Sequence, residues 1–447
     1  MAAGRLFGTD GVRGVAGEML TAELATALGH GAAEVVEGER PQVLIVRDTR
    51  DSGPMLEAAL AAGIAQGGGD ALLGGVLPTP AASVLVRRHG LDLGAVVSAS
   101  HNPWQDNGIK FFGPDGTKLD DDLERHIEEH VADRLEEAGS GRRAPESAAT
   151  IGRVRTLEAA LSDYVRELST AFPLDLGGRR VAIDCGHGAA YRAAPAILER
   201  LGAEVEAIGA DPDGRNINAG VGSTHPEALA ELVAGGDAEI GFAFDGDGDR
   251  VIAVDGGGTV RDGDELIAIA AQHLRDTGRL DGGVAVTVMT NYGFHKAMEA
   301  AGIELEVTDV GDKHVAAALR EREWTLGGEQ SGHLIWSDYA PTGDGIAAAL
   351  LVLGALGERP LADARPFERL PQLLRNVEVR DREAVAGATA VWEAAERENS
   401  ALEGRGRVLV RPSGTEPLVR VMVEAPEEAE CEAVCTRLVE IVERELS

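Results

Sequence analysis

The chain has 447 residues, a length that suits about three domains, give or take one. Its 75 acidic residues outnumber its 42 basic ones, for a net charge of -33. A field of that sign repels nucleic acid and anionic membrane surfaces, so neither is expected as a partner, and it favours solubility.

Hydrophobic residues make up 44% of the chain and aromatics only 4%, as in ordinary cores of Ala, Val, Leu and Ile. The 58 glycines point to many tight turns or to backbone that approaches a ligand closely. Three scattered thiols, Cys185, Cys431 and Cys435, make no disulfide framework, and buried packing suits them better than zinc. No basic–apolar–small leader opens the chain, and the apolar run 346–356 is too short for a bilayer. The expected location is cytoplasmic.

Along the chain, short β-rich runs alternate with helix-length amphipathic runs. The first motif is a glycine-spaced opening, Phe7 to Gly14, in which Arg13 can face an anion. Helices are predicted over 21–36 and 52–67, and strands over 43–46 and 94–97. The second strand runs into Ser98-Ala99-Ser100-His101-Asn102-Pro103. Here Pro103 disfavours helix at Asn102 and leaves Ser100 on a loop, with His101 and Lys110 close behind. This reads as a nucleophilic serine or as a plain Asn-Pro turn. Residues 136–150 are polar, with Gly, Ser and Pro, and read as a connector.

A strand over 181–184 leads to Gly186-His187-Gly188, which misses the dinucleotide fingerprint because Tyr191 replaces its last glycine. Helices at 189–201 and 226–234 and a strand at 240–244 follow. Then comes Asp245-Gly246-Asp247-Gly248-Asp249-Arg250. Three carboxylates at alternate positions can converge on one hard cation, and near 4 Å each pair repels by roughly 4 kcal/mol until one binds. An EF-hand is excluded, since its sixth position would be Arg250 and its twelfth Gly256. A helix over 263–277 and a strand over 284–288 precede Gly327-Gly328-Glu329-Gln330-Ser331-Gly332-His333. That loop can read sugar hydroxyls through Glu329 and Ser331 and bind phosphate or move protons through His333. Residues 357–371 hold three prolines and read as a second connector. Last, Arg411-Pro412-Ser413-Gly414-Thr415-Glu416-Pro417, with Arg420, has the composition of a phosphate cradle. No Walker A loop occurs. Alternation of this kind predicts an α/β fold, with ligand sites at strand C-terminal ends. No short internal repeat is visible.

These loops, in this order, resemble those of the α-D-phosphohexomutase superfamily over nearly the whole chain. The resemblance extends to Asp106–Phe112 and residues 213–226. It implies a four-domain architecture of three related α/β domains and a smaller mobile C-terminal α+β domain around a central cleft. The divisions expected are 1–150 with the serine loop, 151–250 ending in the metal loop, 251–366 with the sugar loop, and 367–447 with the phosphate loop. It implies a phosphoserine at Ser100 and one Mg²⁺ per chain, held by Asp245, Asp247, Asp249 and that phosphate. A sugar phosphate would be isomerised through a sugar 1,6-bisphosphate, and glucosamine 1,6-bisphosphate or a related compound would serve as activator. Arg250 would neutralise the transferring group. Arg13, Glu329, Ser331, His333, Arg411, Ser413, Gly414, Thr415 and Arg420 would bind substrate. Lys110 is the first candidate base and would need a lowered pKa; His101 and His333 are alternatives, as is a fixed positive charge at Lys110. A homodimer is compatible with this reading. Substrate choice among glucosamine, glucose and mannose phosphates stays open, and a metal-dependent sugar-phosphate phosphatase is the competing activity.

Overall fold

Runs rich in Val, Ile and Ala that are buried along their length become the central strands of layered sheets. The computed structural model describes residues 5–8, 10–36, 38, 40–140, 151–381, 383–412 and 417–446. The first part contains β1 (Val12–Val15), α1 (Ala22–Glu34), β2 (Gln42–Arg47), α2 (Gly53–Gln66), β3 (Asp70–Val76), α3 (Thr79–His89), β4 (Leu93–Val97), β5 (Asp106–Phe112), α4 (Asp121–Ser140) and β6 (Val154–Thr156). The second contains α5 (Ala160–Ala171), β7 (Arg180–Asp184), α6 (Ala190–Arg200), β8 (Glu204–Ile208), α7 (Glu227–Gly235), β9 (Ile240–Phe244), β10 (Val251–Asp255) and β11 (Val260–Arg261). The third contains α8 (Gly263–Asp276), β12 (Val284–Thr287), α9 (Tyr292–Ala300), β13 (Leu305–Thr308), α10 (Asp312–Arg322), β14 (Leu326–Gly328), β15 (Leu334–Trp336) and α11 (Gly345–Leu356). The last contains β16 (Gln372–Glu378), α12 (Thr389–Ala401), β17 (Arg407–Pro412), β18 (Leu418–Glu424) and α13 (Glu428–Leu446).

The strand orders reveal a repeat that the residues conceal. The first sheet is β1-β5-β4-β2-β3-β6, the second β11-β10-β9-β7-β8 and the third β13-β12-β14-β15. Each contains the same four-strand unit: three parallel strands, then one antiparallel strand paired with the last of them. The units are β3-β2-β4 with β5, β8-β7-β9 with β10, and β13-β12-β14 with β15. In each case the turn between the last parallel strand and its antiparallel partner carries one of the polar motifs. The second sheet continues past Arg250 through β10 and β11, so we place the end of that domain after Arg261 rather than at Arg250. The fourth sheet, β16-β18-β17, is wholly antiparallel.

Local chemistry sets several element ends. Helix α3 begins with Pro80 in its first turn and stops at Gly90, whose φ of 61° forms a left-handed cap. Asp344 caps α11 by accepting from the amides of Ile346 and Ala347, each at 3.0 Å. That helix is apolar on nearly every side and buried almost throughout, as a central core helix should be. Among the described residues no helix is long and apolar enough to cross a membrane. Helix α4 continues into the first connector to Ser140, and 141–150 lie outside the described residues.

By compactness the chain falls into two units, Met1–Val288 with Leu305–Ala364, and Met289–Glu304 with Arg365–Ser447. The division at Ala364 lies inside the proline-bearing connector. Within the first unit, α1 and α2 cross so closely that a Cβ on Gly63 would lie 2.0 Å from the carbonyl oxygen of Thr26. Gly63→Ala is therefore expected to destabilise the N-terminal domain by about 1–3 kcal/mol through overpacking. Urea unfolding followed by intrinsic fluorescence would show it as an earlier transition, and an unchanged curve would contradict the close crossing.

Candidate active site

Ser100 sits in the β4–β5 turn with φ at 51°, a left-handed conformation that costs a residue with a side chain. It is almost fully buried, and its Oγ donates to Asp245 Oδ2 at 2.6 Å. His101 Nδ1 lies 3.2 Å from the same Oγ. The β9–β10 turn supplies Asp245, Asp247 and Asp249. Their ligand atoms all lie within 4.8 Å of one another, and all three residues are buried. Gly246 is required there, because a Cβ would come 2.6 Å from the Ser100 carbonyl oxygen and 2.7 Å from Asn218 Nδ2.

The aspartates have the donor set of a hard divalent cation. Among the described residues, Asp247 Oδ1 and Asp249 Oδ1 have no hydrogen-bond partner although both are buried. Burial, reinforced by Asp249 and Asp247, pushes the Asp245 carboxyl well above the usual carboxylate range. Three buried carboxylates so grouped, with two oxygens that accept no hydrogen bond from the described residues, suit a hard divalent ion such as magnesium.

Lys110, on β5, is buried and reaches Asp247 Oδ2 at 2.9 Å, Asp10 Oδ2 at 3.5 Å and Asp249 Oδ2 at 3.9 Å. Burial alone would lower its pKa, but Asp10, Asp247 and Asp249 outweigh it and hold the ammonium above its usual range. The lowered pKa expected for a base at Lys110 is thus not found. Asp10 is the strongest of these partners and is not one of the three aspartates. Conversely, Lys110 overcomes the burial of Asp247 and, with Thr79 Oγ1 donating at 2.6 Å, holds that carboxyl below the usual range.

The other expected residues lie at varied distances from this centre. Arg250 is mostly buried; its backbone amide donates to Asp245 Oδ1 at 3.2 Å and its Nε lies 3.8 Å from Asp249 Oδ1. Arg13 is ion-paired with Asp10. In the β14–β15 turn, Glu329 is buried and accepts from the Gly311 amide at 3.0 Å, while Ser331 is exposed. His333 is not an open ligand: it is 2% exposed, with Nδ1 3.7 Å from Asp249 Oδ2 and Nε2 accepting from the Gly343 amide at 3.1 Å. In the second unit, Arg411 and Arg420 are direct cross-strand partners on β17 and β18. Ser413, Gly414 and Thr415 lie outside the described residues.

Sequence reasoning missed several members of the site. Asp10 joins Lys110 to Lys118, and Lys118 in turn pairs with Asp312. Asp312 Oδ2 lies 4.0 Å from His333 Nε2. The result is a ring of neighbouring acids and bases, Lys110–Asp10–Lys118–Asp312–His333–Asp249, closed by Asp249 on Lys110. It draws on all three repeated sheets. One compositional signal pointed toward it: only four lysines occur in 447 residues, and two are in the ring.

Four family models match the chain in order. They are the phosphoglucomutase/phosphomannomutase alpha/beta/alpha domain I over residues 4–138, domain II over 162–258, domain III over 262–370, and the C-terminal domain over 374–441. The chain belongs to the phosphoglucomutase/phosphomannomutase family. Its near full-length relatives include curated phosphoglucosamine mutases. That of Desulforudis audaxviator is 51% identical over 98% of each chain. That of Desulforamulus reducens is 48% identical over 98% of this chain and 99% of its own. Among solved structures, a phosphoglucomutase/phosphomannomutase family protein from Burkholderia thailandensis superposes with a TM-score of 0.83 at 25% identity, covering 100% of this chain and 98% of that one.

Removing one carboxylate should loosen the ion before it affects anything else. Asp247→Asn is expected to weaken Mn²⁺ or Mg²⁺ binding by at least about tenfold. Isothermal titration would measure this, and an unchanged affinity would place the ion elsewhere.

Proposed function

We propose that the chain interconverts glucosamine 6-phosphate and glucosamine 1-phosphate, using a phosphoryl group carried on Ser100. The observation that carries this reading is the 2.6 Å contact between Ser100 Oγ and Asp245, beside two further buried aspartates. A phosphoserine there would carry about -1.5 to -2 charge against three carboxylates, which requires a cation between them. Bound by Asp245, Asp247 and Asp249, one Mg²⁺ per chain would offset that charge and polarise the phosphoryl group.

The protein's own groups then have distinct tasks. Ser100 is fixed by the loop and presents its oxygen to the transferring phosphoryl group. The sugar's free hydroxyl attacks phosphorus, the bond to Ser100 Oγ breaks, and a glucosamine 1,6-bisphosphate forms. After the sugar turns over, Ser100 accepts the other phosphoryl group, so the phosphoenzyme is restored and no water is consumed. Positioning and charge neutralisation supply most of the acceleration. Lys110 acts as a fixed positive charge, since Asp10 keeps it protonated. His101 is the better proton carrier: burial, then Arg250 and Arg13, lower its pKa, which leaves it neutral at pH 7 and within reach of Ser100 Oγ. Arg250 neutralises the moving group. Glu329 and Ser331 read the sugar hydroxyls, and Arg13 and His333 stiffen the charged surroundings.

In the C-terminal unit, Arg411 and Arg420 are direct cross-strand neighbours on β17 and β18, and two guanidinium groups side by side suit the oxygens of a phosphate. Together with Ser413, Gly414 and Thr415 of the same sequence motif, they are the residues we assign to the substrate phosphate. A sugar bisphosphate would restore any enzyme that loses its phosphate. The same reading puts the enzyme in the cytoplasm, in keeping with three free buried thiols.

Ser100→Ala should abolish turnover in a coupled mutase assay and remove the phosphate from the intact-mass spectrum. Retained turnover would dismiss the nucleophile. Free phosphate released in proportion to substrate would favour the phosphatase instead. Arg411→Ala should raise KM for the sugar phosphate by about ten- to a hundredfold, the cost of a charged hydrogen bond, with a smaller change in kcat. Unchanged kinetics would move the phosphate site elsewhere.

A further inference from the structure

Among the described residues Arg50 is the largest fully buried side chain, 0% exposed, and it lies three residues beyond the end of β2 and two residues from Asp48. Its Nε donates to Asp48 Oδ2 at 2.8 Å. The rest of the guanidinium is spent on the serine loop. Nη2 donates to the carbonyl oxygens of Ser100 at 2.9 Å and Asn102 at 2.8 Å. Nη1 donates to the carbonyl oxygens of Asp106, at 2.9 Å, and Pro103. One side chain therefore ties four carbonyls of the turn that carries the nucleophile.

Two further contacts complete the arrangement. Asp48 Oδ2 also accepts from Ser98 Oγ at 2.5 Å, and Ser98 Oγ accepts from the Ser100 amide at 3.0 Å. From the second domain, Asn218 Nδ2 donates to the same Ser100 carbonyl at 3.0 Å and to that of Asn102 at 3.3 Å. Ser100 thus has its amide and its carbonyl both fixed, on either side of a φ of 51°. A serine left to itself would relax to negative φ, and its Oγ would swing away from Asp245. Lysine could not replace the arginine, because a single ammonium cannot reach four carbonyls and a carboxylate in one plane.

We propose that Arg50, assisted by Asn218, is a positioning residue for phosphoryl transfer, holding Ser100 in its left-handed conformation so that Oγ stays in line with the aspartates. This rests on the mutase reading of the same site. Arg50 touches neither Oγ nor the aspartates' ligand atoms, so it acts only through the Ser100 main chain. A misplacement of about 1 Å at such a centre costs roughly a hundredfold in rate.

The test uses the full-length enzyme with Mg²⁺ and two variants. Arg50→Lys keeps the charge beside Asp48 and loses the fork. Asn218→Gly keeps the positive φ of 58° at that position and deletes the amide. Steady-state kinetics on glucosamine phosphate would be read beside the phosphate taken up at Ser100 from glucose 1,6-bisphosphate, measured by intact mass. We expect kcat to fall by about a hundredfold in Arg50→Lys and about tenfold in Asn218→Gly. KM should stay within about threefold and Ser100 phosphorylation should slow in parallel, with far-ultraviolet circular dichroism unchanged. Unchanged kcat and phosphorylation rates in a folded variant would overturn the proposal, as would a rise in KM alone. If Arg50→Lys does not fold, Asn218→Gly decides by the same criteria. Wild-type protein that takes up phosphate at Ser100 yet turns over no glucosamine phosphate would refute the substrate reading and leave the positioning role to be judged from uptake alone.

Discussion

Three carboxylates are buried at one point, and most of the surrounding polar structure answers that fact. Asp245, Asp247 and Asp249 cannot all be charged together in a low-dielectric pocket without compensation. Each has a different solution in the protein: Asp245 holds the serine hydroxyl, Asp247 holds Lys110 and Thr79, and Asp249 faces Lys110, His333 and Arg250. The ring of acids and bases extends the compensation outward through Asp10, Lys118 and Asp312. A buried ion pair is weak evidence of net stability, because desolvation offsets the attraction. What the ring supplies is geometry: each member fixes the next, and oxygens of Asp247 and Asp249 are left open for an ion.

The repeated sheet explains how three distant segments supply that geometry. A turn between a parallel strand and an antiparallel partner projects from the strand C-terminal edge, where open α/β sheets hold their ligands. The unit recurs as β2 to β5, β7 to β10 and β12 to β15, so the serine, aspartate and sugar motifs occupy equivalent turns. The turns have different residues because they have different chemistry. What recurs is the strand order, which is why inspection of the residues alone shows no repeat.

Much of the secondary structure was legible for a related reason. The β9 run matches its predicted bounds, and the predicted helices at 52–67 and 263–277 end within a residue or so of α2 and α8. These are apolar runs of strand or helix length flanked by Gly, Ser or Asp. The serine and the aspartates were legible because each motif is contiguous. Asp10, Lys118, Asp312 and Asn218 were not, since their roles arise only when other domains meet them. Arg50 was hidden differently. An arginine after a strand usually reads as a solvated end, and nothing local reveals that four carbonyls will surround it. Lys110 shows the opposite error. Its position was legible, but as a base it was expected to have a lowered pKa, whereas the acids Asp10 and Asp247 face it in space.

The strongly acidic surface and an anionic substrate are compatible for a reason of length scale. At physiological ionic strength the Debye length is about 8 Å, so the exposed charges that make up most of the -33 act weakly beyond their own neighbourhood. Buried charges are screened far less. Lys110, buried, and Lys118, partly buried, therefore weigh more in the site than their number implies, even though the chain contains only two other lysines. Both are held by acids, which keeps them protonated and fixed. A lysine free to move would lose entropy on meeting a phosphate, and one held in advance has already lost it. The abundance of surface acid and the placement of two lysines among inward-facing acids are thus separate features of the chain, the first acting on solubility and the second on the local charge around the aspartates.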